Sequence, residues 1–394
     1  MKAIYSIGYT FSTKSFAFIL NYMVINFLLL SEYGQFSIIF SIINSFIVVS
    51  SLGLLYSANV ISSKWMLRNP KYVLNYFKIS FLLIFILSLI FSLIIFYIHG
   101  YFISVFLTIL IFSLVTLFEG FFYGVGEIKK IFLYGVVNLI LSLSISLFFI
   151  KSLGLDGAIF SLAISKIFLL VMQVRYFFKN IEFDDFFTVS YIKAIFLFYK
   201  KYNFPLVMSA LIATPIVTLT IYILSIRKGL EEVAVFSWCY QIYLLGMFIP
   251  TALGTYYLSI LNKKSNEDKF KVMRGITKFN LIVTIVAIAM LFLVSPLILK
   301  VGKIEGFKSS YYIYNTFLIC MFFYSLNLGF LSFWSSIGEN SFYLKMQILW
   351  SLVVLIVVLI FVDFLGGVSI PLGMALGFFI QYLIQLLRLK NIQA

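Results

Sequence analysis

Charged side chains are scarce in this 394-residue chain, where Asp, Glu, Lys and Arg together make up 11% of the residues. An average soluble domain carries about 25% charged residues, which cover its surface in water. Hydrophobic residues instead reach 63%, and the mean hydropathy is +1.09. This composition excludes a water-soluble globule and predicts a fold whose solvent is lipid.

Histidine and cysteine are almost missing, with His99 the single histidine and Cys239 and Cys320 the only cysteines. These residues form no disulfide pattern and no His/Cys metal cluster, and the sequence gives no support for catalysis by a Cys/His pair or a Ser/His/Asp triad. The sequence also lacks a phosphate-binding glycine loop followed by Lys and Ser or Thr, which argues against direct use of ATP. We therefore predict a non-enzyme without cofactors or metals.

Apolar stretches of spanning length follow one another along the whole chain, separated by short polar loops. A helix needs about 20 apolar residues to cross a bilayer, and twelve such stretches fit the sequence. They lie at roughly 7–30, 34–61, 79–98, 101–123, 131–150, 154–176, 203–225, 233–260, 276–299, 311–334, 346–364 and 371–388. The predicted fold class is an all-α polytopic membrane protein with about twelve transmembrane helices.

The net charge of +15 is explained by membrane orientation rather than by nucleic-acid binding, because the basic residues are distributed asymmetrically. With a cytoplasmic N-terminus, 21 of the 29 Lys and Arg residues fall on the cytoplasmic side and two, Lys14 and Lys166, fall within spans. The remaining six fall outside: Lys151, Arg227, Lys228, Lys300, Lys303 and Lys308. The positive-inside rule therefore predicts that both termini are cytoplasmic.

The longest polar interruption divides the spans six and six. We predict an N-terminal bundle at 1–177, a cytoplasmic linker at 178–202 and a C-terminal bundle at 203–394. An internal repeat supports two related halves, because Glu32, Phe36 and Ser37 recur 200 residues later as Glu232, Phe236 and Ser237, and Gly126-Glu127 recurs as Gly338-Glu339. An even number of spans separates the copies, so this is a parallel repeat of the kind that supports alternating access.

Lys14 lies about seven residues into the first span, where a buried ammonium costs roughly 2.5 to 3.5 kcal/mol on insertion scales. Its stem is long enough to carry the charge to the cytoplasmic headgroups, and that interpretation stays open. The alternative is a wet cavity, favoured because Asn21 follows seven residues later on the same helical stripe.

Lys166 lies near the middle of the sixth predicted span, too far from either end for its ammonium to reach an interface easily. This position predicts that Lys166 faces a cavity rather than lipid. Gln173 follows seven residues later and lies on the same face of the helix. The second span carries Asn44 among serines at helical spacing, a pattern that also serves simply to pack helices together. The predicted substrate-binding residues are Lys14, Asn21, Asn44, Lys166 and Gln173.

Four further residues interrupt the apolar spans. Glu119 and Asp363 fall close enough to span ends to be interfacial. Pro215 and Pro250 lie inside the seventh and eighth spans, where each removes a helix hydrogen bond and predicts a kink.

Several short segments, taken in order along the chain, carry a family resemblance. They are Ser31-Glu32-Tyr33-Gly34-Gln35-Phe36, Leu52-Gly53, Leu153-Gly154-Leu155-Asp156-Gly157-Ala158 and Phe204-Pro205-Leu206. Together with the repeat they resemble the polysaccharide repeat-unit (O-antigen or capsule, Wzx-type) flippases of the multidrug/oligosaccharidyl-lipid/polysaccharide (MOP) superfamily.

The resemblance implies a V-shaped pair of six-helix bundles in the bacterial inner membrane. Its substrate would be an undecaprenyl-diphosphate-linked oligosaccharide, with membrane lipid and the polysaccharide polymerase and chain-length machinery as further partners. No nucleic acid is expected. A drug exporter of the MATE type is one alternative, although its cationic substrates call for carboxylates that the first and seventh spans lack. A membrane scaffold of polysaccharide assembly, with no transport of its own, is another.

Overall fold

The computed structural model describes residues 2–51, 53–180, 193, 195–197, 199, 204–253, 257, 261, 266–337 and 339–393, so most of the predicted linker lies outside the described residues. The first part of the chain forms α1 (Lys2–Phe27), α2 (Leu30–Ser50), α3 (Leu54–Trp65), α4 (Pro70–His99), α5 (Phe102–Val125), α6 (Ile128–Ile164) and α7 (Ile167–Asn180). The second part forms α8 (Phe204–Lys228), α9 (Leu230–Gly246), α10 (Phe248–Ala252), α11 (Asn266–Leu293), α12 (Ser295–Val301), α13 (Lys308–Ser336), α14 (Asn340–Leu365) and α15 (Ser369–Gln393).

These helices cluster into two compact units. Unit 1 contains Met1–Phe27 and Ile39–Thr214, and unit 2 contains Leu28–Ile38 and Pro215–Ala394. The start of α2 therefore belongs to unit 2, together with the second half of the chain. The division predicted from the sequence places this segment in the N-terminal bundle. Seven stretches of the described helices are long and apolar enough to cross a bilayer, and the longest two, Ile128–Lys179 and Ser341–Leu389, contain 52 and 49 residues.

The path of α6 shows why a stretch of that length must turn back. At 37 residues a straight α6 would be about 55 Å long, well beyond the roughly 30 Å hydrocarbon core. The helix reverses at Gly154, where φ is 60° and ψ is −129°. Only glycine adopts this region without strain.

Gly366 repeats this turn between α14 and α15, with φ 54° and ψ −134°. It follows Gly154 by 212 residues, the offset that also relates Gly126-Glu127 to Gly338-Glu339. The two halves therefore share a hairpin of the same backbone geometry, which shows the repeat independently of sequence identity.

The repeated motif near the start of each half also has matched burial. Phe36 and Phe236 are both fully buried, and Ser37 and Ser237 are equally buried. Within unit 2, Gly34 lets the start of α2 pack directly on the carbonyl of Leu230, where a Cβ atom would collide.

The two prolines predicted as kinks differ in effect. Helix α8 continues through Pro215. Helix α9 instead ends at Gly246 and α10 begins at Phe248, just upstream of Pro250. Pro250 has no N–H to donate to the carbonyl of Gly246, four residues earlier, so the interruption falls where the missing bond predicts.

Candidate substrate site in unit 1

The second limb of α6 does not continue into α7, because the helix breaks at Ser165 and Lys166. Asn138, on the first limb of α6, holds the break together. Its Nδ2 donates to the carbonyl of Ser165 at 2.6 Å, and its Oδ1 accepts the amide of Leu169 at 3.1 Å. All three residues are buried, so the amide satisfies backbone groups that the broken helix would otherwise leave unpaired in lipid.

This break determines the position of Lys166, which is half-buried. Its Nζ lies 5.7 Å from the centroid of the Phe112 ring on α5. It also interacts electrostatically with the carboxylate of Glu119, two turns further along α5. An ammonium placed in the middle of a span thus has an aromatic face and an opposite charge as neighbours.

Glu119 is fixed in turn by α1, because the hydroxyl of Tyr9 donates a hydrogen bond to its carboxylate. Tyr123 lies one turn along α5 from Glu119, and its hydroxyl is 3.4 Å from Ser6 Oγ on α1. One cluster of charged and phenolic side chains therefore forms where three elements meet: the first part of α1, the second half of α5 and the break before α7. We call Tyr9, Glu119, Tyr123 and Lys166 the unit 1 cluster.

Lys14 and Asn21 share a stripe of α1 by spacing but differ in environment. Lys14 is exposed, on the same open face as Phe11 and Tyr22. Asn21 is 1% exposed, and its Nδ2 donates to the carbonyl of Ala17 within α1 at 2.8 Å. Lys14 is thus the more accessible of the two lysines that the sequence predicts to bind substrate.

The other two predicted polar residues also differ from each other. Asn44 is half-buried on α2, where the neighbouring Ser45 hydroxyl bonds back to the Ser41 carbonyl at 3.1 Å. Gln173 is fully buried on α7, and neither atom of its amide has a hydrogen-bond partner among the described residues. A buried amide without partners is costly, which makes Gln173 a strong candidate for contact with water or a polar ligand.

Known proteins resemble this chain through structure alone. No family model matches it, and neither does any curated protein sequence. A multidrug resistance MATE family transporter of the MOP superfamily in an inward-facing conformation superposes with a TM-score of 0.75 at 14% identity, over 100% of this chain and 99% of that chain. An outward-facing MATE family transporter gives 0.72 at 17% identity, over 100% and 95%. The chain has the MATE transporter fold.

A third similar structure is a MOP superfamily transporter from Pyrococcus furiosus, for which reverse polarity of the binding pocket suggests a different function. It superposes with a TM-score of 0.73 at 17% identity, over 100% of this chain and 95% of that chain. The full coverage of MATE-fold proteins confirms the predicted fold class, an all-α polytopic protein of two six-helix bundles. The structural neighbours are transporters of the MOP superfamily, and this chain shares their fold.

Sequence reasoning missed the role of Glu119, which it assigned to a membrane interface. Its contacts with Tyr9 and Lys166 come from helices far apart in sequence. One signal was present, since Glu119 and Lys166 are opposite charges that both fall within predicted spans. Charges inside a membrane protein usually pair with one another.

Proposed function

We propose that this protein is a flippase that carries an undecaprenyl-diphosphate-linked oligosaccharide from the cytoplasmic to the periplasmic leaflet by alternating access. The observation that carries the proposal is the helix break that holds Lys166 inside the span. Discontinuous helices at mid-membrane depth form the substrate sites of many secondary transporters.

A diphosphate requires such a site, because it brings at least two negative charges into a region of low dielectric constant. Opposite charges attract strongly there, by about 4 kcal/mol at 4 Å even with an effective dielectric constant of 20. Lys166 immediately precedes α7, so its ammonium adds to the positive end of that helix dipole. Both contributions favour an anion over a cation.

Lys14 and Lys166 have different roles in this mechanism. Lys14 is exposed and makes the first contact with the diphosphate. Lys166 interacts with Glu119 in the absence of substrate, and the diphosphate then competes with that carboxylate. The amides of Asn21, Asn44 and Gln173 bind the sugar hydroxyls. Gln173 contributes most, because neither atom of its amide has a hydrogen-bond partner among the described residues before the sugar binds.

The comparisons support this proposal in two respects. MATE-fold transporters adopt both inward-facing and outward-facing conformations, as alternating access requires. The Pyrococcus furiosus protein, with its reverse polarity of the binding pocket, indicates that the fold accommodates pockets of different charge. A bacterial inner-membrane location with cytoplasmic termini and association with a polysaccharide polymerase belong to the same proposal.

A MATE-type exporter of cationic compounds is the second candidate, favoured by one observation. Glu119 and Tyr9 place a carboxylate and a phenol inside unit 1, and a carboxylate suits a cationic substrate. In that case Glu119 rather than Lys14 would contact the substrate. The flippase therefore loses transport when Lys14 is removed, whereas the exporter keeps it.

Neutral substitution of the lysines tests the proposal. We expect Lys14→Ala and Lys166→Ala each to reduce flipping of the lipid-linked oligosaccharide in proteoliposomes at least tenfold, and Lys→Arg to retain more activity than Lys→Ala at both positions. Lys151→Ala is the matched control, because Lys151 is an exposed lysine of the same unit whose Nζ lies over the Phe27 ring. Wild-type flipping by both alanine variants, with normal membrane insertion, would refute the diphosphate role.

A further inference from the structure

Unit 2 contains a cavity of about 630 Å³ that the proposed substrate site does not use. Helices α11, α13 and α15 form its walls. Among the lining residues are Arg274, Thr277, Lys278 and Leu281 on α11 and Leu383 and Leu387 on α15. A volume of this size lies within the range of small-molecule sites.

The cavity has a cationic end and an apolar wall. Arg274 and Lys278 lie one turn apart on α11, and both are exposed. Leu383 and Leu387 on α15 are 44% and 62% exposed, so the apolar wall is open at the side of the bundle. An amphipathic molecule can reach it from the bilayer.

The two cations of the cavity lack the partners that neighbouring cations have. Lys269 Nζ donates to the carbonyl of Ser336 at 3.0 Å, and Arg388 pairs with Glu339 at 3.1 Å. The described residues provide neither an ion pair nor a hydrogen bond for Arg274 or Lys278. Their charges are therefore available to an anion.

Helix α11 also carries buried polar atoms that have no hydrogen-bond partner among the described residues. Thr277 lines the cavity, and its buried Oγ1 has no hydrogen-bond partner among the described residues. Asn280 Nδ2 and Thr284 Oγ1 follow at helical spacing, also buried and without a partner. The wall beside the cations thus offers the Thr277 hydroxyl in addition to positive charge.

We propose that this cavity binds an anionic phospholipid of the cytoplasmic leaflet, with the phosphate held by Arg274 and Lys278 and an acyl chain along Leu281, Leu383 and Leu387. Charge complementarity selects the headgroup, and basic pockets between transmembrane helices on the cytoplasmic side recognise such groups. A soluble anion would use the cations but not the leucine wall. The bound lipid links α11, α13 and α15 and stabilises unit 2.

Thermal unfolding of the purified full-length chain in neutral detergent tests the proposal. We expect short-chain phosphatidylglycerol to raise the Tm saturably, whereas phosphatidylcholine and inorganic phosphate do not. Arg274→Gln with Lys278→Gln should weaken the response to phosphatidylglycerol at least tenfold. Lys271→Gln with Lys300→Gln removes the same charge from exposed lysines of unit 2 that do not line the cavity, and should leave the response intact.

A variant that fills the cavity separates this site from general surface charge. Leu281→Trp keeps both cations and should also weaken the response, because it occupies the space for the acyl chain. A full response in the Arg274/Lys278 variant, or an equal loss in the control pair, would overturn the proposal. If inorganic phosphate raised the Tm as strongly as phosphatidylglycerol, the cavity would be a site for a soluble anion and the proposal would be wrong. If undecaprenyl phosphate displaced phosphatidylglycerol at a tenth of its concentration, the cavity would be a site for the substrate lipid, which would also overturn the proposal.

Discussion

Replacing Asn138 with leucine removes the side chain that holds the break before Lys166. Leucine is similar in size but leaves the carbonyl of Ser165 and the amide of Leu169 without their partner. Side-chain hydrogen bonds inside membrane proteins contribute about 0.6 kcal/mol each on average and about 1.7 at most. With two bonds lost, we expect the free energy of unfolding to fall by about 1 to 3 kcal/mol, which is roughly 5- to 150-fold in the folding equilibrium.

Equilibrium unfolding in mixed micelles measures this loss, and Asn26→Leu is the matched control. The amide of Asn26 also bonds to a carbonyl, that of Tyr22, but within its own helix. The control should lose little stability. Asn138→Leu should also reduce transport, since Lys166 is no longer held beside Phe112 and Glu119. Equal unfolding free energies for the two variants would refute the reasoning.

Two further predictions concern the unit 1 cluster and the start of α2. Glu119→Ala should destabilise the protein more than the double change Glu119→Ala/Lys166→Ala, because the single variant leaves an ammonium inside the span without its counter-charge. A double-mutant cycle of unfolding free energies measures the coupling between the two residues, and additive effects would contradict it. Gly34→Ala should strongly reduce the yield of folded protein, because the added Cβ collides with the Leu230 carbonyl. Gly275→Ala is the control and should be tolerated, because no atom lies close to the Cβ that it adds. Fluorescence-detected size-exclusion chromatography compares the two yields, and equal yields would contradict the predicted collision.

The composition of the chain and the length of its apolar stretches were enough to predict the fold class. The stretch Phe102–Val125, for example, is long and apolar and is followed by Gly126, so the sequence predicts both the helix and the residue at which it ends. The parallel repeat was also visible in Glu32 and Glu232. The identical turns at Gly154 and Gly366 were not predicted, because a sequence shows a glycine but not the sign of its φ angle.

The candidate site was only partly predictable, for a physical reason. Spacing along one helix places Lys14 and Asn21 on one stripe, but it carries no information about what packs against each residue. The structure exposes Lys14 and buries Asn21. Asn138 lies 27 residues from Ser165, and Tyr9 lies 110 residues from Glu119. These contacts depend on how the helices pack, so the helix break and the carboxylate partner of Lys166 emerged only from the structure.

Flipping in proteoliposomes tests the central claim most directly. The purified protein is reconstituted with an undecaprenyl-diphosphate-linked oligosaccharide, and a membrane-impermeant sugar-modifying enzyme measures how fast substrate from the inner leaflet becomes accessible. A parallel set of vesicles measures transport of a cationic dye. We predict that the protein accelerates exposure of the oligosaccharide, that Lys14→Ala abolishes the acceleration and that dye transport is absent. Dye transport that requires Glu119, with no effect on the oligosaccharide, would contradict the flippase proposal and favour the exporter.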